Sequence, residues 1–349
     1  MIEIDGSFGE GGGQVLRTAL SLSCLLNKPF RIINIRKGRK NPGLMPQHLT
    51  AVKALQLLSD AIVSGDHKGS TELTFSPRKI RGGDFSFDIG TAGSTMLVLQ
   101  TAIPALMRTG RQSSLILRGG THVPFSPSFH YVSEVFAPTI ARIGVNVKMS
   151  MESYGFYPKG GGIVRADIMP ASELRPLSIP QRGRILRING YSCAVNLPLS
   201  IAERQKNAAL KKISSGLPDL SCSVGIEAAE SKTFGTGTFI FIKAESEHSI
   251  AGFTSLGERG KKAERVGEEA AAEFIEYYGS DAALDPYLPD QIVLYLLMCE
   301  GESIFTASRI TDHLMTNLWV IGLFHPFEWF VEGEKGKPGR VTICGNPLT

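Results

Sequence analysis

The sequence predicts an α/β protein made of three repeated units, each pairing two helices with a small sheet, interrupted by a smaller α/β domain. Three observations carry this. "GEGGGQVLRTALSLSCLL" and "GTAGSTMLVLQTAIPALM" both run from a Gly-rich turn into an apolar helix, and Arg17-Thr18-Ala19 superimposes on Gln100-Thr101-Ala102. Each is followed by a strand and then by a second helix that carries a histidine at its entrance. A third helix–strand–helix set returns near the C-terminus, much further along than the first spacing allows, so something separates it from the others.

In chain order, the first copy continues through the strand "KPFRIINIRKG" into the helix "LMPQHLTAVKALQLL", with His48 at its entrance. In the second, the strand "QSSLILRGG" leads to "SPSFHYVSEVFAPTIARIG", with His130 in the equivalent place. The third reads "YLPDQIVLYLLMCEGE" as helix, "SIFTAS" as strand and "RITDHLMTNLWVIGLF" as helix, with His313 at the entrance. No unit alone is large enough to hide its apolar face, so the three must pack together. Residues 183–279, bounded by the turn-like "PQRGR" and "GSDAA", read as the inserted domain. The order there is a strand from Arg184, a helix from Ser200, two strands, and a helix with Val266, Ala270, Phe274 and Tyr277 on one face. The body is then 1–182 and 280–349.

Composition excludes several classes. With 42% hydrophobic residues among 349, the chain can bury a full core; no apolar run reaches membrane-spanning length and no signal peptide opens it, so a soluble, cytoplasmic protein is expected. Five scattered cysteines lack CxxC or zinc spacing, which argues against a disulfide framework or a structural metal. A net charge of +4 permits an anionic partner without demanding one. There is no GxxxxGK[ST] loop, and "GEGGGQ" does not complete GxGxxG.

His313 is the main chemical candidate. Ser308 or Thr311 can cap its helix, Asp312 suits the positive helix end, and Leu314, Leu318 and Ile321 form the buried stripe. The helix dipole opposes a second positive charge and so favours neutral, nucleophilic imidazole; the same N-terminus attracts a phosphate. His48 and His130 read first as capping or packing residues. Arg36 and Arg39 sit in a Gly/Pro loop where guanidinium groups can grip phosphates, Arg17 lies among apolar residues and needs a partner, and Glu10 can be that partner or a magnesium ligand.

The segments "DGSFGEGGGQVLRTALSLS", "RKGRKNPGLMPQHLTAVKA", "RGGDFSFDIGTAGSTMLVLQTAIPAL", "GFYPKGGG", "YLPDQIVLYLL" and "DHLMTNL" together closely resemble the RNA 3'-terminal phosphate cyclases, over nearly the whole chain and in order. The resemblance implies a three-unit body with four-stranded sheets, similar to enolpyruvyl transferases, and an insert between the second and third units. It implies an ATP-dependent enzyme that turns an RNA 3'-phosphate into a 2',3'-cyclic phosphodiester. His313 would attack the α-phosphorus of ATP, AMP would pass to the RNA 3'-phosphate, and the 2'-OH would close the ring and release AMP. By the same resemblance Gln100, Tyr287, Leu288, Pro289, Asp290 and Gln291 line the adenylate pocket; Arg17, Arg36, Arg39 and Gln47 orient phosphates or the RNA end; and Glu10 holds magnesium or manganese. Met45-Pro46 and His122 depart from the family pattern. The chain could act alone or as a homodimer. The alternative readings are a cyclase-like, non-catalytic RNA-binding protein of ribosome assembly, which lacks the nucleophilic histidine, and an enolpyruvyl transferase, for which no motif is found.

Overall fold

The computed structural model describes residues 1–346. The first unit runs β1 (Ile2–Asp5), α1 (Gly13–Leu26), β2 (Phe30–Ile33), α2 (Pro46–Ser59), β3 (Ile62–Ser64) and β4 (Leu73–Ser76). The second runs β5 (Asp84–Asp88), α3 (Thr95–Leu106), β6 (Ser113–Gly119), α4 (Phe129–Tyr131), a π-helical turn at Val132–Phe136, α5 (Ala137–Ile143), β7 (Val147–Ser153) and β8 (Gly162–Ile168). Then come β9 (Ser178–Ile179), β10 (Ile185–Val195), α6 (Leu199–Gly216), β11 (Ser223–Ser231), β12 (Gly237–Ser246), β13 (Ile250–Leu256) and α7 (Ala263–Ser280). The chain closes with α8 (Leu288–Leu296), β14 (Gly301–Ala307), α9 (Asp312–Phe324), β15 (Glu328–Glu332) and β16 (Gly339–Gly345).

The repeat is visible in strand order. The sheets β1-β2-β4-β3, β5-β6-β8-β7 and β9-β14-β16-β15 are the same: a parallel pair first, then two antiparallel neighbours. Alternation drives this locally, since β2 buries Phe30 and Ile32 and exposes Arg31 and Ile33. The pairing of β9 with β14 places Ser178 and Ile179 in the third of these sheets, ahead of residues 183–279 in the chain. A two-residue strand has no periodicity to reveal it.

Helices α1, α3 and α8 are buried on most sides and bring the units together; α1 packs on α2, α3 and α9, and α8 packs on α9. Each Leu or Phe buried there contributes about 1.5–3 kcal/mol. Leu314, Leu318 and Ile321 face this core, as their spacing predicts.

A fourth sheet, β11-β10-β12-β13, carries α6 and α7 over a second core that includes Ile188, Ile240, Ile242, Phe253 and Phe274. Val266, Ala270, Phe274 and Tyr277 are all buried along α7. The sequence does not single out β13. Buried Arg182 pairs with Asp281 at 3.1 Å and lies over Tyr277 and Tyr278, so the segments entering and leaving this sheet are clamped side by side. Among the described residues no helix is long and apolar enough to cross a membrane, and the five cysteines are free.

Candidate active site

Packing of α1 against α9 decides where the chemistry gathers. Thr311 caps α9, its hydroxyl accepting the Leu314 amide at 3.1 Å, which sets His313 in the first turn with its side chain 47% exposed. Gln14, buried in the first turn of α1, faces it. The Gln14 amide nitrogen donates to the His313 carbonyl (3.0 Å) and to Asp290 Oδ2 (3.2 Å), so its oxygen is left to the imidazole, where it meets Nδ1 in a short contact. An acceptor at Nδ1 requires the hydrogen there and, in the neutral ring, leaves Nε2 with the lone pair. Nε2 points to Glu10, 3.0 Å from its carboxylate, a contact in which a protonated ring donates to the carboxylate, so the two acceptors together suit the imidazolium. Burial holds the imidazole below its ordinary pKa; Glu10 opposes this, while Arg17 and Arg39 reinforce it. Burial thus favours the neutral ring, whose hydrogen Gln14 would hold on Nδ1, while the Glu10 contact favours the protonated one.

The Gly-rich turn packs cations around this ring. Gly9 and Gly11 take positive φ (+61° and +56°), and a Cβ at Gly12 would stand 3.2 Å from Arg39. A Cβ at Gly13 would meet Arg17 and the His48 ring. Arg39 pairs loosely with Glu10 at 3.4 Å, which leaves it available to an anion. Burial lowers Arg17 to about 10, against the pull of Asp290, and burial raises Asp290 to about 7, against the pull of Arg17. Asp290 is also tied to α9, where Asn317 donates to its carbonyl at 2.6 Å and itself accepts from Thr18 at 2.7 Å.

The expected site residues fall into groups. Glu10, Arg17, Arg39, Asp290 and His313 come together. Gln100, midway along α3, and Gln291, in the first turn of α8, meet at 2.6 Å, and Gln291 also donates to the Tyr287 carbonyl at 2.7 Å, forming a second polar wall with half-exposed Tyr287. Gln47 accepts from the Ser94 amide at 3.2 Å, joining the first two units. Three residues differ from expectation. Leu288 and Pro289 are buried, so their side chains support the wall from within. Arg36 donates to the carbonyls of Asn41 (2.6 Å) and Gly43 (3.1 Å), so its guanidinium braces its own loop. Gln14 is a participant that the sequence reading passed over; its polar side chain on the otherwise apolar face of α1, one turn before Arg17, is the signal that marks it.

The other entrance histidines have different surroundings. Counted from the caps, His130 and His313 both stand second in their helices, whereas His48 stands third, and Gln47 holds the equivalent place. His48 is buried and takes the Met45 amide on Nδ1 at 3.1 Å; burial, then Arg17 and Arg36, lower it to about 3. His122 lies away from the phosphate handles, 2.9 Å from His130 in a buried aromatic cluster.

A family model described as RNA 3'-terminal phosphate cyclase matches residues 8–331. The RNA 3'-terminal phosphate cyclase of Methylococcus capsulatus is 45% identical over 99% of this chain and 97% of its own length. That of Sulfolobus acidocaldarius is 46% identical over 96% and 98%, and that of Pyrococcus abyssi 41% over 98% of each. The enolpyruvyl transferase NikO of Streptomyces tendae aligns with 99% of this chain and 48% of its own at a TM-score of 0.38 and 9% identity, too distant to carry an argument. With the match running from the Gly-rich turn through α9 and past it, the chain that places a histidine among these cations belongs to the RNA 3'-terminal phosphate cyclase family.

Proposed function

We propose that the protein uses ATP to convert an RNA 3'-terminal phosphate into a 2',3'-cyclic phosphodiester. The observation that supports the mechanism is the Gln14–His313 pair: in the neutral ring it would hold the hydrogen on Nδ1 and give Nε2 the lone pair, at the N-terminus of α9 beside Arg17 and Arg39, once a substrate or metal draws Glu10 away. In this reading Nε2 attacks the α-phosphorus of ATP, the N–P bond forms as the bond to pyrophosphate breaks, and histidine-bound AMP results. The RNA 3'-phosphate then takes the AMP and frees the histidine. Finally the 2'-OH attacks the activated phosphorus and AMP departs. Activation replaces a poor leaving group by a good one, and the last attack is intramolecular. Only RNA supplies the 2'-OH.

Arg17 and Arg39 would neutralise phosphate charge, and Tyr287, Gln100 and Gln291 would border the adenosine. Among the described residues no three His, Cys, Asp or Glu side chains cluster to hold a metal. Magnesium commonly takes one or two carboxylates and completes its shell with water and substrate phosphates, which the single carboxylate of Glu10 fits. Such an ion would screen charge between nucleophile and triphosphate. The reading also takes 183–279 as an inserted domain, supported by its separate core and by the Arg182–Asp281 clamp. Joining 182 to 280 through a short linker should leave a folded body by circular dichroism; loss of the fold would count against that boundary.

The test is labelling with ATP carrying radioactive α-phosphate in magnesium or manganese. Acid-labile, alkali-stable label on the peptide holding His313 is expected. No label with either metal would move the non-catalytic, RNA-binding reading to first place.

A further inference from the structure

Three of the most exposed large apolar side chains are aromatic, and they gather on one rim outside the catalytic cluster. Phe125 is fully exposed, and Tyr157 and Phe234 are each 72% exposed. Phe125 also holds a left-handed backbone, φ +61°, which costs energy for a residue with a Cβ and gains no packing in return. Among the described residues none of the three rings pairs with another aromatic ring, although the Phe234 ring rests on Gly161. Isolated exposed apolar residues are ordinary; three grouped on adjoining loops indicate a binding surface.

The loops lean on one another through glycines. A Cβ at Gly120 would collide with Val123 (2.6 Å), two residues before Phe125, and with the Ala92 carbonyl (2.5 Å). Gly160, three residues after Tyr157, approaches the same turn, its Cβ position lying 2.7 Å from the Thr91 carbonyl and 3.0 Å from Ala92 Cα. The ring of Phe234 lies over Gly161. That turn continues to Gly93, which abuts Gln47, and Gln47 is next to His48 behind Gly13 and Arg17. Packing through this turn and Gln47 thus connects the loops of the rim to the elements that hold the arginine cluster. Lys159, Lys232 and Arg118 are exposed in or beside the same segments.

We propose that Phe125, Tyr157 and Phe234 form a stacking track for unpaired bases of the RNA strand upstream of its 3' end. This rests on the cyclase reading for the identity of the strand. Exposed flat rings without aromatic partners, accompanied by cations, suit the alternating π-faces and phosphates of a single strand, and stacking tolerates any sequence. The track ends where the 3'-phosphate would meet Arg17 and Arg39.

The test compares the full chain with a Phe125→Ala, Tyr157→Ala, Phe234→Ala variant, using fluorescence anisotropy with an unphosphorylated single strand of about ten nucleotides, a length within the usual site size of such grooves. Each lost stack is expected to weaken binding by about tenfold. In cyclisation, KM for the 3'-phosphorylated strand should rise in step with kcat little changed, while a 3'-phosphorylated dinucleotide and ATP labelling of the protein alone should be unaffected. Unchanged anisotropy would overturn the track, as would equal weakening of long and short RNA. A change in sedimentation from dimer to monomer with unaltered RNA binding would give the rim to a second copy of the chain and overturn it as well. Absence of label in the unaltered protein would instead sink the cyclase reading, and the anisotropy arm would still report on the track.

Discussion

His130 and His313 occupy the same place in two copies of one unit, each second in a helix whose cap is a hydroxyl residue, and the protein uses them in opposite ways. Around His130 the β12 strand brings Phe239 and Phe241 against the ring, Tyr191 comes from β10, and His122 donates or accepts at 2.9 Å; burial lowers the imidazole to about 4. Around His313 the contacts are polar, and Lys335 from the loop between β15 and β16 pairs with neighbouring Asp312 at 2.6 Å. Gln14, Glu10 and Arg39 surround the ring, and nearly half of it stays accessible. Burial disfavours the charged form of both rings, but only the His313 ring is substantially exposed. Local sequence therefore sets the position, and what packs on top decides whether the ring is enclosed or left accessible for the chemistry proposed here.

The junction beside His130 is built as a fixed joint. Ser128 bonds Thr254 at 2.9 Å, Lys243 pairs with Glu134 at 3.0 Å, and Gly252 lets β13 approach Val135 and Tyr131. Buried Asp285, pushed up to about 6 by burial, accepts from the Tyr131 hydroxyl and from the amides of Gly252, Tyr287 and Leu288. One carboxylate thus joins the second unit, the fourth sheet and the start of α8, where Tyr287 lies.

The sharpest way to break the comparison is to exchange the losses. His313→Asn should abolish adenylation, a fall of 10³-fold or more, with an unaltered melting temperature, because the half-exposed ring contributes chemistry and little packing. His130→Gln should keep adenylation within a few-fold. If instead it were the second variant that lost the label, the assignment would be reversed.

Stability against pH separates the two further. The unfolded chain protonates His130 near pH 6.5, whereas the folded chain resists until about 4, so the native state loses about 3 kcal/mol relative to the unfolded as pH falls through that window. This contribution is complete above 6.5. Asp285 and Asp290, whose pKa values are raised, change in the opposite sense, so the contribution should be read as the difference between the unaltered protein and His130→Gln in denaturant melts from pH 7 to 4. Parallel curves would show that the ring is not held neutral by its surroundings.

Gln14→Met keeps volume and removes the acceptor at Nδ1. Adenylation should fall about 30-fold as the hydrogen is freed to occupy Nε2, while RNA binding by anisotropy stays unchanged. Undiminished labelling would remove Gln14 from the mechanism. Smallest is Tyr131→Phe, which deletes one of the four hydrogen bonds to Asp285. A loss of about 1 kcal/mol in stability and a modest rise in KM for ATP are expected, since three amides still hold the carboxylate. No change in either would detach Asp285 from the Tyr287 wall.

Much of this was legible in the chain. The helix–strand–helix repetition, the apolar stripes of α7 and α9, and the entrance histidines all follow from short-range patterns that a local element must satisfy. Glu10, Arg17, Arg39 and His313 were legible as charged or nucleophilic groups placed against the apolar rhythm. The two-residue β9 was not, because so short a strand is defined only by its partner β14. Nor was the bracing role of Arg36, since a guanidinium aimed at its own loop and one aimed at a phosphate have the same neighbours in sequence.

By itself the sequence determined the units, their helices and the kinds of chemistry present, because hydrophobic period, capping residues and residue type act over a few positions. Only the tertiary structure decided which groups meet. Gln14 and His313 lie 299 positions apart, and their contact, on which the proposed choice of nitrogen depends, exists because α1 and α9 bury their apolar faces against each other.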